Sequence, residues 1–122
     1  MNKRKALIVD DDADLCYLIN EVCRSHNYNT TIVNSLFEAR SAIDLNMPSL
    51  IILDNSLPDG YGTDLIPYIE TKPQNIEIIL ITGDHERPEA EFRAQGILYL
   101  LRKPFSLKNL KLLLDKIDHK IS

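Results

Sequence analysis

Residues 50–54 are Leu-Ile-Ile-Leu-Asp, an apolar run that ends in an aspartate. A run that is apolar at every position, rather than at alternate ones, is typical of a strand buried on both faces of a parallel sheet. Similar runs rich in Ile, Leu and Val occupy residues 6–9, 76–81 and 97–101. Residues 28–33 are richer in β-branched side chains, which favours a further strand at an edge of the sheet.

Helical patterns lie between these runs. The first has the i, i+3, i+4, i+7 spacing of an amphipathic helix at Leu15, Leu18, Ile19 and Val22. The predicted helices span residues 15–22, 35–43, 63–70, 89–95 and 106 to the chain end. Strand and helix alternate five times, which predicts an α/β fold, a doubly wound (βα)5 unit with a five-stranded parallel sheet.

Length and composition fit one ordinary globular domain, residues 1–122, with 44% hydrophobic and 26% charged residues. The net charge of −4 gives no electrostatic reason to expect nucleic acid or an anionic membrane as a partner. No apolar run approaches the roughly 18 residues of a membrane span, and a signal-peptide apolar segment is missing at the start. We therefore expect a cytoplasmic protein.

Two cysteines, Cys16 and Cys23, fall in the first predicted helix. Because a helix rises about 1.5 Å per residue, their α-carbons would lie roughly 10 Å apart, beyond the reach of a disulfide. We expect both thiols to be small core residues.

Polar residues follow four of the predicted strands. They are Asp10, Asp11, Asp12, Asp54, Thr82 and Lys103. A doubly wound sheet has its ligand site at the carboxyl ends of the strands, beside the point where the strand order reverses. We therefore expect carboxylates, a hydroxyl and an ammonium group to meet at one edge of the sheet.

The chemistry of this set points to a metal ion and a phosphoryl group. Clustered carboxylates repel each other, and a divalent cation removes that penalty. Oxygen ligands without Cys or His indicate Mg²⁺, with Mn²⁺ as the alternative. A carboxylate is also a competent nucleophile towards phosphorus, and the metal, the ammonium group and the hydroxyl could each bind an oxygen of the transferred group.

Five landmarks in chain order give the sequence a family resemblance. They are Ile8-Val9-Asp10-Asp11, Leu53-Asp54, Leu57-Pro58 with Gly62, Ile81-Thr82-Gly83 and Lys103-Pro104-Phe105. Over essentially the whole chain the sequence resembles the receiver domain of two-component response regulators. The resemblance implies the flavodoxin-like, chemotaxis-regulator-like strand order 2-1-3-4-5.

Carried over residue by residue, the resemblance implies a metal site. Asp54 would be the phosphoacceptor. Asp11 and Asp54 would ligate Mg²⁺ directly, together with the main-chain carbonyl of Ser56. Asp10 would act through a bound water.

The same resemblance implies the remaining roles. Thr82 and Lys103 would bind phosphoryl oxygens, and the peptide bond between Lys103 and Pro104 would be cis. The phosphoryl group would come from a phosphohistidine on a sensor histidine kinase or a histidine phosphotransfer protein. Phosphorylation would switch interactions with a downstream protein or effector domain. The chain would be no enzyme beyond catalysing its own phosphorylation and slow dephosphorylation.

The sequence departs from the family in the fifth strand. Relatives usually carry Tyr or Phe three residues before the motif lysine, where this chain has Leu100. Tyr99 is one place earlier, and a shift of one residue on a strand moves a side chain to the opposite face. Residues 97–101 are also unusually apolar, which fits either a deeper strand or a docking surface of helix 4, strand 5 and helix 5. A homodimer through that surface is one expectation.

Three other functions remain as alternatives. A phosphatase like the haloacid dehalogenases needs a second aspartate two residues after the nucleophile, where this chain has Ser56. A flavodoxin-like cofactor carrier needs a phosphate loop after the first strand, where this chain has three aspartates that repel an anion. The third alternative is a degenerate receiver that works independently of phosphorylation. The complete acidic set argues against it.

Overall fold

A computed structural model of the chain describes residues 3–121 and shows five parallel strands in one sheet. The strands are β1 (Arg4–Val9), β2 (Tyr28–Val33), β3 (Leu50–Asp54), β4 (Glu77–Thr82) and β5 (Tyr99–Arg102). Their order is β2-β1-β3-β4-β5, which confirms the predicted topology. Residues 1, 2 and 122, at the ends of the predicted domain, lie outside the described residues.

Four α-helices connect the strands, a fifth follows β5, and together they cover both faces of the sheet. They are α1 (Ala13–Ser25), α2 (Leu36–Asn46), α3 (Ile66–Glu70), α4 (Glu89–Ala94) and α5 (Leu107–Ile121). Asp12 caps α1, because its carboxylate accepts a hydrogen bond from the Leu15 amide at 3.1 Å. Among residues 3–121, none of the helices has the length and apolar character needed to cross a membrane.

The predicted third helix is divided in two. Residues Gly62–Leu65 form a 3₁₀ helix, and α3 follows with Pro67 in its first turn. Proline has no amide hydrogen, so it cannot make the α-helical bond to the carbonyl of the residue four positions earlier. The Thr63 carbonyl accepts instead from the Ile66 amide, which is 3₁₀ geometry.

The core lies in two layers, one on each face of the sheet. Strands β3 and β4 are buried along their whole length, as their uniform apolar runs predict. One layer packs against α2, α3 and α4, and the other against α1 and α5. Leu100 packs in the first layer and Tyr99 in the second, which confirms that the two side chains of β5 lie on opposite faces.

The buried side of α1 includes Ile19 and Val22 of the predicted apolar set but not Leu18. Leu18 is 43% exposed, whereas Cys16 and Cys23 are buried in the core and unpaired, as expected for small core residues. Burial raises the pKa of Cys16 to about 11 and that of Cys23 to about 12, so both thiols remain protonated at neutral pH. Helix α1 therefore packs against the sheet with the side that carries Cys16 and Cys23.

Candidate functional site

The acidic residues meet because β1 and β3 are neighbours in the sheet. Val9 pairs with Leu53, so Asp10 and Asp54 emerge side by side at the carboxyl ends of the two strands. Asp10, Asp11 and Asp54 each offer a carboxylate oxygen within 4.8 Å of the others. Asp10 and Asp54 are buried, and Asp11 is exposed. The strand order therefore concentrates three negative charges at one point.

Asp10 carries the clearest sign that this point accommodates a cation. One of its carboxylate oxygens accepts from the Asp12 amide at 2.9 Å, and the other is buried without a hydrogen-bond partner within residues 3–121. Burial, followed by the charge of Asp54, raises the pKa of Asp10. A buried oxygen without a partner is costly, and an oxygen-seeking divalent cation would satisfy it. The donor set fits Mg²⁺ or Mn²⁺.

Lys103 supplies the opposite charge. Its Nζ lies 2.9 Å from Oδ1 of Asp54. Partial burial lowers the pKa of Lys103, but the hydrogen bond and negative charge of Asp54 outweigh burial, and the net pKa is raised. The Lys103–Pro104 peptide bond is cis, as the resemblance implies. The phosphoacceptor candidate is thus held next to an ammonium group that is charged at neutral pH.

Ser56 and Thr82 line an open cleft of ≈ 570 Å³ at the carboxyl ends of β3 and β4. The Ser56 amide donates to Oδ2 of Asp54 at 3.2 Å. The Thr82 hydroxyl oxygen accepts from the Asp84 amide at 3.0 Å. Asp10, Asp11 and Lys103 therefore lie around the Asp54 carboxylate, and Thr82 ends the neighbouring strand β4, whose Ile81 pairs with Asp54. The Ser56 carbonyl as a metal ligand stays a prediction.

Gly62 allows the loop after β3 to return close to Asp54. A β-carbon on Gly62 would lie 2.4 Å from the Asp54 carbonyl oxygen and 2.9 Å from Cγ of Leu53. Both distances are too short for real atoms, and one of the two contacts is to backbone, which cannot move aside. Glycine at this position is therefore a requirement of packing around the phosphoacceptor candidate.

Gly62→Ala should destabilise the domain by about 2–3 kcal/mol, the cost of overpacking a rigid site. Chemical denaturation measures the change directly. Gly83→Ala is the matched control, because a β-carbon there would meet nothing within 4 Å. Equal stability of the two variants would show that the close approach at Gly62 is not rigid.

Asp10→Asn should stabilise the metal-free domain at neutral pH by about 1–3 kcal/mol, because it removes a buried negative charge that burial and the charge of Asp54 disfavour. Because the folded-state pKa of Asp10 is raised, the contribution of Asp10 to stability is fully present below the ordinary carboxyl pKa and is lost as pH rises through the raised value. The gain from Asp10→Asn should therefore vanish in acid. Denaturation in chelator at several pH values tests this, with Asp14→Asn as the exposed charge control. A destabilised Asp10→Asn would contradict the prediction.

Asp59 is a structural residue of the site region that sequence patterns did not identify. Its carboxylate accepts from the Leu36 amide at 2.9 Å and the Phe37 amide at 3.0 Å. These hydrogen bonds lower the pKa of Asp59. The loop after β3 is thereby attached to the start of α2. The Asp59-Gly60 pair indicates a turn in the sequence. Nothing near Asp59 in the sequence indicates that its carboxylate binds the distant amides of α2.

Comparison with known proteins supplies independent evidence. The chain matches the model of the response regulator receiver domain over residues 6–115. It is 33% identical over 119 residues to the transcriptional regulatory protein CitB of Klebsiella pneumoniae, covering 95% of this chain and 51% of CitB. It is 28% identical over 112 residues to sporulation initiation phosphotransferase F of Bacillus subtilis, covering 91% of this chain and 90% of that protein. The chain thus spans about half of CitB.

Solved structures show the same fold. The non-phosphorylated HemR receiver domain of Leptospira biflexa superposes with a TM-score of 0.82 at 27% identity, covering 94% of each chain. The receiver domain of sensor histidine kinase PA1611 of Pseudomonas aeruginosa superposes with a TM-score of 0.79 at 23% identity, covering 93% of this chain and 96% of that one. That structure holds a magnesium ion in its active-site cleft. Sequence, site geometry and fold agree, and the chain belongs to the response regulator receiver domain family.

Proposed function

We propose that this receiver domain accepts a phosphoryl group on Asp54 from a phosphohistidine donor and thereby switches protein–protein interactions. The observation that carries the proposal is that Asp54 contacts the Lys103 ammonium at 2.9 Å and shares a carboxylate cluster with Asp10 and Asp11. An oxygen nucleophile next to both a cation and a cation-binding cluster is the arrangement that phosphoryl transfer needs.

In the reaction, a carboxylate oxygen of Asp54 attacks phosphorus. The P–N bond of the phosphohistidine breaks, and the electron pair leaves with the imidazole. Lys103 balances negative charge on the transferred group, and Thr82 donates its hydroxyl hydrogen to a phosphoryl oxygen. The Asp84 amide supports this role, because it donates to the Thr82 oxygen and so orients the hydroxyl hydrogen away from itself.

Asp10, Asp11 and Asp54, with the Ser56 carbonyl, would hold Mg²⁺, and Mn²⁺ is the alternative. When bound, the ion would neutralise carboxylate repulsion and supply positive charge to the transferred group. Without it, the charges of Asp10 and Asp11 would repel an incoming phosphoryl group. The reaction should therefore require a divalent cation.

The phosphoryl group should be lost slowly, and the chain should act as no enzyme beyond its own phosphorylation and dephosphorylation. Ser56, exposed two residues after Asp54, orients water only weakly and provides no acid group. One carboxylate oxygen of Asp84 accepts from the Glu86 and Arg87 amides, and these bonds lower the pKa of Asp84. Asp84 is thus engaged in holding its own loop, which weakens it as a base for water.

The donor would be a sensor histidine kinase or a histidine phosphotransfer protein, and the output a contact with another protein. The surface of α4, β5 and α5 is the candidate for that contact, including a homodimer. Leu98, directly before β5, is 59% exposed, and Leu112 of α5 is 50% exposed. Exposed apolar side chains at both positions favour docking over a merely deeper strand.

Leu98→Lys should weaken phosphorylation-dependent self-association or partner binding by at least about tenfold, because it brings an unpaired charge into the contact. Sedimentation of the phosphorylated protein measures the homodimer. Leu45→Lys on α2 is the control, since Leu45 is 82% exposed on a different face. If Leu45→Lys weakened association and Leu98→Lys did not, the contact would lie elsewhere.

Intact-mass measurement tests the proposed reaction. Incubation with a small acyl phosphate and Mg²⁺ should add one phosphoryl group to the wild type and none to Asp54→Ala. Chelation of the metal should prevent the addition. A stable adduct on Asp54→Ala, or labelling independent of metal, would overturn the assignment.

A further inference from the structure

Arg102 has two polar contacts that the proposed reaction does not use. It is the last residue of β5 and directly precedes Lys103. Its Nη1 donates to the Asp84 carbonyl, and its Nη2 donates to the Arg87 carbonyl at 2.8 Å. The planar guanidinium group can bind both acceptors at once, which the point charge of a lysine does less well.

Both acceptors belong to the loop of residues 83–88, which joins β4 to α4. This loop has little packing of its own. Residues 83–86 are exposed, and a β-carbon on Gly83 would meet nothing within 4 Å. The adjoining helix α4 is six residues long and buries Phe92. Few apolar contacts hold such a segment, so its polar contacts decide its position.

The loop contacts the Thr82 hydroxyl, which takes part in the proposed reaction. The Asp84 carbonyl accepts from Arg102, while the Asp84 amide donates to the Thr82 hydroxyl oxygen at 3.0 Å. Asp84 therefore lies between the guanidinium group and the hydroxyl. Because Arg102 and Lys103 are adjacent, the end of β5 contacts the phosphoacceptor through one residue and the Thr82 loop through the other.

Leu100 lies two residues before Arg102 on the same strand, so both side chains fall on the α4 side of the sheet. Leu100 packs there with apolar residues and has no polar group. The guanidinium carbon of Arg102 lies 6.0 Å from the centroid of the Phe92 ring, which extends the contact to the buried residue of α4. Arg102 thus connects β5, the loop and α4.

We propose that Arg102 is a positioning residue for phosphoryl transfer: it holds the loop of residues 83–88 so that the Thr82 hydroxyl faces the phosphoryl group on Asp54. The inference rests on the proposed function. Thr82 acts on the transferred group, so loss of Arg102 should lower the maximal rate of phosphorylation and leave the half-saturating donor concentration nearly unchanged.

Arg102→Gln and Arg102→Lys test the proposal, and Arg93→Gln is the matched control. Arg93 is an exposed arginine of α4 whose ion pair with Glu89 is long, at 3.9 Å. With a small acyl phosphate and Mg²⁺, both Arg102 variants should lower the maximal rate about tenfold, the effect of losing a charge-assisted hydrogen bond. Arg93→Gln should match the wild type. If Arg102→Gln fails to fold, Arg102→Lys, which keeps the charge, decides.

Two further measurements separate positioning from general stability. In the unphosphorylated protein, hydrogen exchange at the Glu86 and Arg87 amides should accelerate about tenfold in Arg102→Gln, while exchange in β3 stays unchanged. In a Thr82→Ala background, Arg102→Gln should cause no additional loss of rate, because the hydroxyl that it positions is gone.

Each outcome has a definite meaning. A wild-type maximal rate in both Arg102 variants, or an equal loss with and without Thr82, would overturn the role of Arg102 and leave the proposed function intact. A wild type that takes no phosphoryl group on Asp54 would overturn both. Unchanged exchange at Glu86 and Arg87 would show that Arg102 does not hold the loop.

Discussion

Lys103→Met is expected to slow phosphorylation by a small acyl phosphate by about 100-fold or more, the usual effect of removing one preorganised donor from a phosphoryl or oxyanion site. In the structure, the Lys103 ammonium contacts Asp54 directly, so it is already in place when negative charge arrives. Methionine keeps most of the volume and removes the charge. Time-resolved intact-mass measurement at fixed Mg²⁺ gives the rate.

Lys108→Met is the control for Lys103→Met. Lys108 is an exposed lysine on α5, so its loss changes the net charge equally without altering the site. Its rate should equal that of the wild type. If both variants slowed equally, the effect of Lys103 would be one of overall charge rather than of position.

Asp11→Ala is expected to weaken Mg²⁺ binding by about 10–100-fold or more and to slow phosphorylation in proportion at limiting metal, because a direct ligand is lost. Asp11 is exposed and contributes one of the three clustered carboxylates. Titration of Mg²⁺ against thermal stability measures the affinity, since a ligand that binds only the folded state raises the melting temperature.

Asp12→Ala separates metal binding from helix capping. Asp12 accepts from the Leu15 amide and caps α1, so its loss should cost about 1 kcal/mol of stability with little effect on chemistry. Two measurements distinguish Asp12→Ala from Asp11→Ala: stability without metal, which Asp12→Ala should lower, and the rate of phosphorylation with metal, which Asp11→Ala should lower. If Asp12→Ala impaired Mg²⁺ binding more than Asp11→Ala, the ligand assignment at the end of β1 would be wrong.

The parallel sheet and the meeting of the site residues at one edge follow from patterns that the sequence displays directly, whereas the strand order follows from the family resemblance. Uniform apolar runs identify strands buried on both faces, and their alternation with helices fixes a parallel sheet. Polar residues at the strand ends must then share one edge. This is why Asp54, Thr82 and Lys103 could be placed together before any coordinates, although they are far apart in the chain.

Side-chain orientation within a helix was less predictable. The apolar spacing in α1 includes Leu18, yet the sheet contacts the side that carries Cys16 and Cys23. Both sides contain Ile19 and Val22, so periodicity alone leaves the rotation of the helix open. Packing against the sheet decides it.

Contacts of side chains with distant backbone groups left no local signal in the sequence. Asp59 binds backbone amides of α2, and Arg102 binds backbone carbonyls of the loop after Thr82. A backbone group carries no sequence identity, so its partner cannot be identified from residue types. Such contacts surround the site and are the part of its construction that only coordinates reveal.

Chemical mapping of the modified residue tests the central claim most directly. The wild type is incubated with a small acyl phosphate and Mg²⁺, and borohydride then reduces the acyl phosphate, which converts a phosphorylated aspartate to homoserine. Peptide mass spectrometry locates the homoserine. The account predicts it at position 54, with chelated samples unmodified. Homoserine at Asp10, Asp11 or Asp12, or equal modification without metal, would contradict the account.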